Sequence, residues 1–372
     1  MSELPTPDLL YSEVEEDLRA SVRDLLTDQA SPAALLARVE TSEPYDLKLW
    51  KTLAADLGAA GLMVPEELGG HGASARETAV VLEELGRSVA PVPFLGSAVL
   101  ATSALLAAGG SVAAELLPRL AAGELTGALA VPLSTAPGAA FPATVSVNGD
   151  GTLSGRAGTV VDASVAELLV VPATGPDGPG LYAVEASAAQ VTELVSFDLT
   201  RRVADVELAN AAARLVVSGA AAEAALDNAL TTAAGLLASE QTGLTEWALT
   251  TTVTYLKGRY QFGRPVGGFQ SLKHRLANLY TDLVNARATA RYAADALAGG
   301  FDVPIAVAVA QARVAPIAVH AVEEAIQLHG GIGMTWEHPA HLFLKRAKSD
   351  ELAFGTPGRH RARLADLVDL PA

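Results

Sequence analysis

The stretch Arg259-Tyr260-Gln261-Phe262-Gly263-Arg264-Pro265-Val266-Gly267-Gly268-Phe269-Gln270-Ser271-Leu272-Lys273-His274 decides how this chain is read. A helical run over 244–257 leads into it, glycine and proline interrupt it, and a second helical run over 272–297 leaves it. A cation, an aromatic ring, glycines and an amide within one turn region suit a polyanion that also carries a flat ring. The plainer reading is a loop between two bundle helices, with Arg259 solvated and Phe262 in the core.

Downstream, helical periodicity holds to the end of the chain. Runs over 304–328 and 339–348 follow, with Pro304 suited to a first turn and Gly330-Gly331 to a helix end. Upstream, runs over 221–237 and 244–257 read as two helices. Between residues 125 and 215 the period shortens, and Val, Thr, Gly and Pro rise. Short strands are expected at 128–131, 144–147, 152–155, 168–171, 180–184, 190–193 and 204–208, as in a small antiparallel sandwich or barrel. The first third is helical again. Ser12 with Glu15, and Ser74 with Glu77, have the capping-box pattern, and a helix is expected over 46–57. The expected class is α+β: an N-terminal helical domain (1–123), a middle antiparallel β domain (124–216) and a C-terminal helical bundle (217–372).

The chain has 372 residues and a net charge of −16. That balance argues against a nucleic-acid or anionic-lipid partner, which a basic face would meet. There is no cysteine, which suits a reducing cytoplasm. No secretory leader is expected from the first residues. The uncharged stretch 91–114 is rich in Ala, Ser and Thr and broken by Pro and Gly, so a buried helix is expected there and no membrane span. Neither His329 nor His274 has a second ligand at helical spacing, so no metal is expected and each reads as a hydrogen-bonded structural histidine. Glu83-Glu84 and Glu323-Glu324 read as solvated helix faces.

The three-part order resembles that of the acyl-CoA dehydrogenases, nearly end to end. Gly61-Leu-Met-Val-Pro-Glu-Glu-Leu-Gly-Gly70, followed by Val80-Val-Leu-Glu-Glu-Leu-Gly86, is similar to the family's first-domain signature. Ser196-Phe-Asp-Leu-Thr-Arg-Arg202 resembles the exit from its β domain. The stretch from Arg259 to His274, and Gln327-Leu-His-Gly-Gly-Ile-Gly333, resemble its two FAD loops. The resemblance implies FAD as cofactor, an acyl-CoA substrate and, as for most members, an electron-transferring flavoprotein as acceptor. It implies cofactor contact at Arg259, Phe262, Gln270, Gln327, Gly330 and Gly331, toward the pyrophosphate and adenosine half of a neighbouring subunit's FAD. The chemistry agrees: Arg259 offers a fork of donors to a pyrophosphate, Phe262 an apolar face, Gln270 both donor and acceptor. Gly330 and Gly331 permit close backbone approach.

The chain also departs from the pattern. Most members carry their base as a Glu directly before a Gly-Thr pair, and here Phe354 precedes Gly355-Thr356. Glu351 matches a non-catalytic acidic position. The alternative base position, near Asn228, is not a carboxylate, and one helix position turns the adjacent Asp227 by about 100°. The family's T-E-P…G-S-D stretch corresponds roughly to 131–138, and its W-I-T-N stretch to 158–164, both without their characteristic residues. No catalytic residue is therefore assigned. The half-site given to a neighbour's flavin is retained and the half-site for the chain's own flavin is degraded. That asymmetry resembles the non-catalytic chain of actinobacterial heterotetrameric (steroid side-chain type) enzymes, and implies a catalytic acyl-CoA dehydrogenase subunit as partner in an α2β2 assembly. A homo-oligomer using Asp227 or another carboxylate, and a flavin-free scaffold, are the other readings.

Overall fold

The computed structural model describes residues 6–370. Helix α1 (Glu13–Gln29) opens on a capping box. Ser12 Oγ accepts from Glu15 N at 3.2 Å, and Glu15 Oε2 accepts from Ser12 N at 2.7 Å. After α2 (Pro32–Val39) and α3 (Leu47–Lys51), a π-helical turn, Thr52–Asp56, completes the helix expected over 46–57. The capping box of Ser74 and Glu77 starts α4 (Ala75–Ser88). The uncharged stretch becomes a π-helical run, Phe94–Ala101, continued by α5 (Thr102–Ala108), and its apolar side chains are buried in the protein core. α6 (Gly110–Ala121) closes this part.

Eight strands follow in one sheet: β1 (Gly127–Leu129), β2 (Val145–Val147), β3 (Leu153–Val161), β4 (Leu168–Gly175), β5 (Gly178–Glu185), β6 (Gln190–Glu193), β7 (Val203–Ala211) and β8 (Arg214–Ser218). Their order is β6-β7-β3-β2-β4-β5-β8. Every pairing is antiparallel except that β4 takes β1 and β2 as parallel neighbours. The expected strands are all present. β8 was not expected, because its side chains are half-buried or exposed and show no alternation. The segment 196–202, expected at the exit from the β domain, instead connects β6 to β7; the strands end at Ser218. One face of the sheet packs on itself through Ala157, Val160, Val171 and Val206. The other, through Leu129, Val161 and Val170, shares a core with α4, α5, α6 and the next helix.

That helix, α7 (Ala220–Gly258), runs unbroken for 39 residues, where two helices were expected. Gly243 does not end it. A Cβ there would lie 2.0 Å from the Glu83 carbonyl oxygen of α4, and one at Gly86 would lie 2.0 Å from the Glu240 carbonyl oxygen of α7. The two glycines serve close helix approach. A short hairpin, β9 (Tyr260–Gln261) with β10 (Arg264–Pro265), precedes α8 (Gln270–Gly299), α9 (Val303–His329), α10 (Ala340–Leu352) and α11 (Pro357–Leu367). The segment Val303–Met334 is the one candidate membrane span by length and composition among the described residues. It packs along α7, α8, α10 and α11 inside the bundle.

Two buried ionic clusters join these parts. Glu83 and Glu84, expected on a solvated face, are 3 % and 1 % exposed. Glu83 accepts from Tyr11 Oη at 2.5 Å, Arg19 at 3.1 Å and Arg287 at 3.1 Å, and Glu84 accepts from Arg23 at 2.6 Å. Full pairing is what permits carboxylates at such depth. Glu324 is half-buried and accepts both donors of Arg275 at 2.6 Å, while Glu323 is exposed. The second cluster sets Arg201, from the β6–β7 connection, between Glu240 of α7 at 2.6 Å and Asp350 of α10 at 2.7 Å. Arg346 bridges Asp198 and Glu240 beside it. Burial in this cluster, with Glu240 alongside, pushes the Asp350 carboxyl well above its usual range.

Candidate cofactor-binding surface

α7 ends as Arg259 N donates to Tyr255 O at 3.0 Å. In the hairpin, Gln261 pairs with Arg264, which leaves Phe262 and Gly263 alone at the tip. Their φ angles are 52° and 72°, both positive as a type I′ turn requires. Glycine adopts that conformation freely, whereas a bulky residue there is strained. Phe262 is 90 % exposed, so it is not a core residue. Phe269 stands edge-on to it with centroids 6.1 Å apart, and the Arg264 guanidinium lies 3.9 Å above the Phe269 ring. A strained turn thus presents an aromatic side chain to the outside, flanked by a cation.

The second loop begins on the last turn of α9. Gln327 is exposed, and its carbonyl accepts from Gly330 N. Gly330 has φ 64°, which only glycine adopts without cost. A Cβ added at Gly330 or Gly331 would meet nothing of this chain within 4 Å, so the backbone there is open to an approaching group. The two loops meet through a pair of rings that sequence reading missed. Tyr255 stacks on His329 at 4.5 Å and 25°, and Arg259 Nη1 donates to Tyr255 Oη at 2.9 Å. His329 Nδ1–H donates to Ala325 O at 2.7 Å, and burial holds the ring's pKa below its usual range. Gln270, at the start of α8, is exposed, with Nε2 3.4 Å from His274 Nε2. All six expected residues are solvent-exposed. Arg259 and the 327–331 loop are joined by the Tyr255–His329 pair, and Phe262 and Gln270 by the hairpin and Phe269. Their chemistry fits the anionic and ribose groups of a dinucleotide. Trp336 and Met334, 62 % and 79 % exposed, stand just past the second loop.

The position before Gly355-Thr356 is different in kind. Phe354 is fully buried, adopts φ 51° and donates its N–H to Leu133 O at 2.8 Å. His360 Nε2–H donates to Phe354 O at 2.9 Å. A phenyl ring accepts no proton, and this one is sealed in the main core. Asp227 is committed elsewhere: its Oδ1 accepts from Gly138 N at 2.5 Å. Arg363 closes the same turn by donating to Pro137 O at 2.8 Å. Asn228 is exposed. Glu351 pairs with Lys348 at 3.1 Å.

The two β-domain stretches that lack family residues come together. Leu133 and Ser134 of one and Thr159 of the other line an open groove of about 780 Å³. Leu194, Val195, Phe197 and Leu352 supply its apolar walls. Its one cation, Lys348, is the partner of Glu351. The residues on this side do not match a cradle for a flavin ring and its phosphates, in contrast to the hairpin face.

Comparison with known proteins shows the family. The model of the acyl-CoA dehydrogenase N-terminal domain matches residues 12–124, and that of the C-terminal domain matches residues 223–368. The acyl-CoA dehydrogenase IpdE2 of Mycolicibacterium smegmatis is 37 % identical over 95 % of this chain and 98 % of its own length. Among solved structures, a variant of the Tcur3481–Tcur3483 steroid ACAD aligns with a TM-score of 0.84 and 31 % identity, over 96 % of this chain and 98 % of that one. The ChsE4–ChsE5 complex from Mycobacterium tuberculosis aligns with a TM-score of 0.84 and 29 % identity, over 98 % of this chain and 100 % of that one.

Proposed function

The chain belongs to the acyl-CoA dehydrogenase family, and within it we propose that this is the non-catalytic subunit of a hetero-oligomeric enzyme. Such an enzyme removes a proton and a hydride from adjacent carbons of an acyl-CoA thioester, with FAD taking the hydride and an electron-transferring flavoprotein then taking the electrons. The observation that carries the reading is Phe354, buried and backbone-bonded at the position of the family's base. Geometry comes first for a general base, and among the described residues Phe354 holds that position in place of a carboxylate. Asp227, the nearest alternative, is held by Gly138 N.

The catalytic partner supplies the base and the flavin pocket. This chain supplies the hairpin face: Arg259 to the pyrophosphate, Phe262 and Gln270 beside the adenosine half, and Gln327, Gly330 and Gly331 as the second loop. Two of the similar structures, the Tcur3481–Tcur3483 steroid ACAD and the ChsE4–ChsE5 complex, are each named for two components. That likeness supports a two-component assembly and a steroid-type acyl-CoA as the substrate class; α2β2 is the assembly we propose. The test is flavin absorbance against protein mass, for the chain alone and for the chain assembled with a catalytic family member. The expected result is little FAD alone and one FAD per heterodimer. One tightly bound FAD per chain in a homo-oligomer would overturn the proposal.

A further inference from the structure

We infer that Tyr255 is a positioning residue for cofactor binding: stacked on His329, it holds the Arg259 guanidinium at the angle the cofactor face requires. The inference rests on the proposed half-site and adds to it a part that none of the six contact residues supplies. Arg259 is exposed, and its long side chain has freedom to lose on binding. Among the described residues its one side-chain partner is Tyr255, whose Oη accepts from Nη1 at 2.9 Å while the guanidinium carbon lies 5.7 Å from the ring centroid. Tyr255 is in turn fixed from its other side. Its ring lies 4.5 Å from that of His329, nearly parallel at 25°. His329 is locked by its own hydrogen bond to Ala325 O and backed by His338, centroids 4.5 Å apart. Beyond His338 stand Trp247, at 6.5 Å, and Phe343, stacked on Trp247 at 3.5 Å. A row of rings thus runs from the core of the bundle out to one exposed cation.

The row also joins two loops distant in sequence. Tyr255 sits one turn before the hairpin, and His329 is inside the second loop, next to Gly330. A group that fixes Arg259 through His329 therefore sets the spacing between the guanidinium and the open backbone of Gly330 and Gly331. Binding by a pre-oriented fork loses less side-chain entropy than binding by a free one.

The experiment measures the FAD dissociation constant of the assembled complex, with parent chain, Arg259→Ala, Tyr255→Phe, His329→Phe, His329→Ala and the double variant Arg259→Ala/Tyr255→Phe. Tyr255→Phe keeps the stack and removes only the hydroxyl acceptor, so the fold is retained. The bond is donated by a charged guanidinium at an exposed site, and its removal is expected to weaken binding roughly fivefold, about 1 kcal/mol. The expected result is a several-fold loss for Tyr255→Phe that disappears in the Arg259→Ala background, because Tyr255 acts through Arg259. His329→Phe retains a flat ring and is expected to keep affinity, whereas His329→Ala loses it. If Tyr255→Phe binds FAD as the parent does, or if its loss adds in full to that of Arg259→Ala, the positioning role is overturned. If Arg259→Ala itself changes nothing, the half-site assignment fails as a whole, and the two failures are told apart by that single variant.

Discussion

The backbone N–H of Phe354 donates to the carbonyl of Leu133 at 2.8 Å, tying the residue before Gly355-Thr356 to the β-domain loop that carries Leu133 and Ser134. The bond fixes Phe354 in the core, with its phenyl ring where a base would need a carboxylate. Phe354→Glu is therefore expected not to make the isolated chain a dehydrogenase, since a base without an aligned acceptor is of no use. It is also expected to cost about 3 kcal/mol of stability, because an ionised side chain in that fully buried position has no partner. The check is acyl-CoA oxidation with an artificial electron acceptor, run beside thermal unfolding. Turnover clearly above the parent would show an intact flavin pocket.

Arg259→Ala should loosen FAD while leaving assembly intact. A charge-assisted hydrogen bond contributes roughly 1.5–3 kcal/mol, or about one to two decades of affinity. Arg259 is exposed at the hairpin root and makes no bond to the core, so the fold does not depend on it. Flavin release and oligomeric mass should be followed on the same sample. Unchanged release would remove Arg259 from the list of cofactor ligands.

Gly243→Ala tests the crossing of α4 and α7. Alanine improves helix propensity by about 1 kcal/mol. Against that stands overpacking, worth about 1–3 kcal/mol and severe here, because the new Cβ meets a backbone oxygen at 2.0 Å. The overlap wins, and a net loss of roughly 2 kcal/mol is expected in denaturant unfolding. A stabilised variant would mean that the helices separate easily.

Glu83→Gln probes the buried cluster between α1, α4 and α8. Removing one charge from such a cluster takes away the shortest ion pair of Arg19, of which about a tenth of the side chain is exposed, and leaves it the longer contacts to Glu84 and Glu16 at 3.4 Å. A loss of about 3 kcal/mol is expected, moderated because Arg287 still reaches Glu246 at 2.9 Å. Arg19→Gln in the same background should then cost less than it does alone, as expected for residues in one network.

The pH dependence has a definite sign. Burial lowers the pKa of His329, His338 and His360 from 6.5. Between the folded values and 6.5 the unfolded chain binds more protons, so stability rises with pH there. Their contribution is full above that value and is lost as pH falls through the folded values. Asp350 and Asp162, pushed upward by burial, act in the opposite sense. Comparison with His329→Phe separates the two: the difference in melting temperature between the proteins should depend on pH below about 6.5 and level off above it.

Much of the fold was legible. Ser12 and Ser74 announced their helices because capping is a local affair of side chain and backbone, and both boxes form. The helices expected over 221–237 and 244–257 are one, and the segment between them ends in Gly243; a glycine inside a helix and a glycine between helices look alike along the chain. Only the approach of α4 tells them apart. Glu83 and Glu84 misled for the same reason: their partners Tyr11, Arg19, Arg23 and Arg287 come from other helices. At the candidate site, the six positions and the non-carboxylate Phe354 come from the resemblance, and the structure adds that the six are exposed and Phe354 buried. Tyr255 could not, since its meaning depends on His329 standing across from it.

The cluster of Arg201, Arg346, Asp198, Glu240 and Asp350 has a consequence for how the molecule comes apart. Its members belong to the β6–β7 connection, α7 and α10, and each is at most 7 % exposed. Opening the sheet alone would strand Glu240 and Asp350 in the bundle without Arg201; opening the bundle alone would strand Asp198 and Arg201. Neither part has a low-energy excursion of its own. Amide protons of β7 and of the middle of α7 should therefore exchange at similar rates, through one global event. That shared resistance to local breathing would keep the exposed hairpin and the 327–331 loop at the end of the same bundle in a fixed shape.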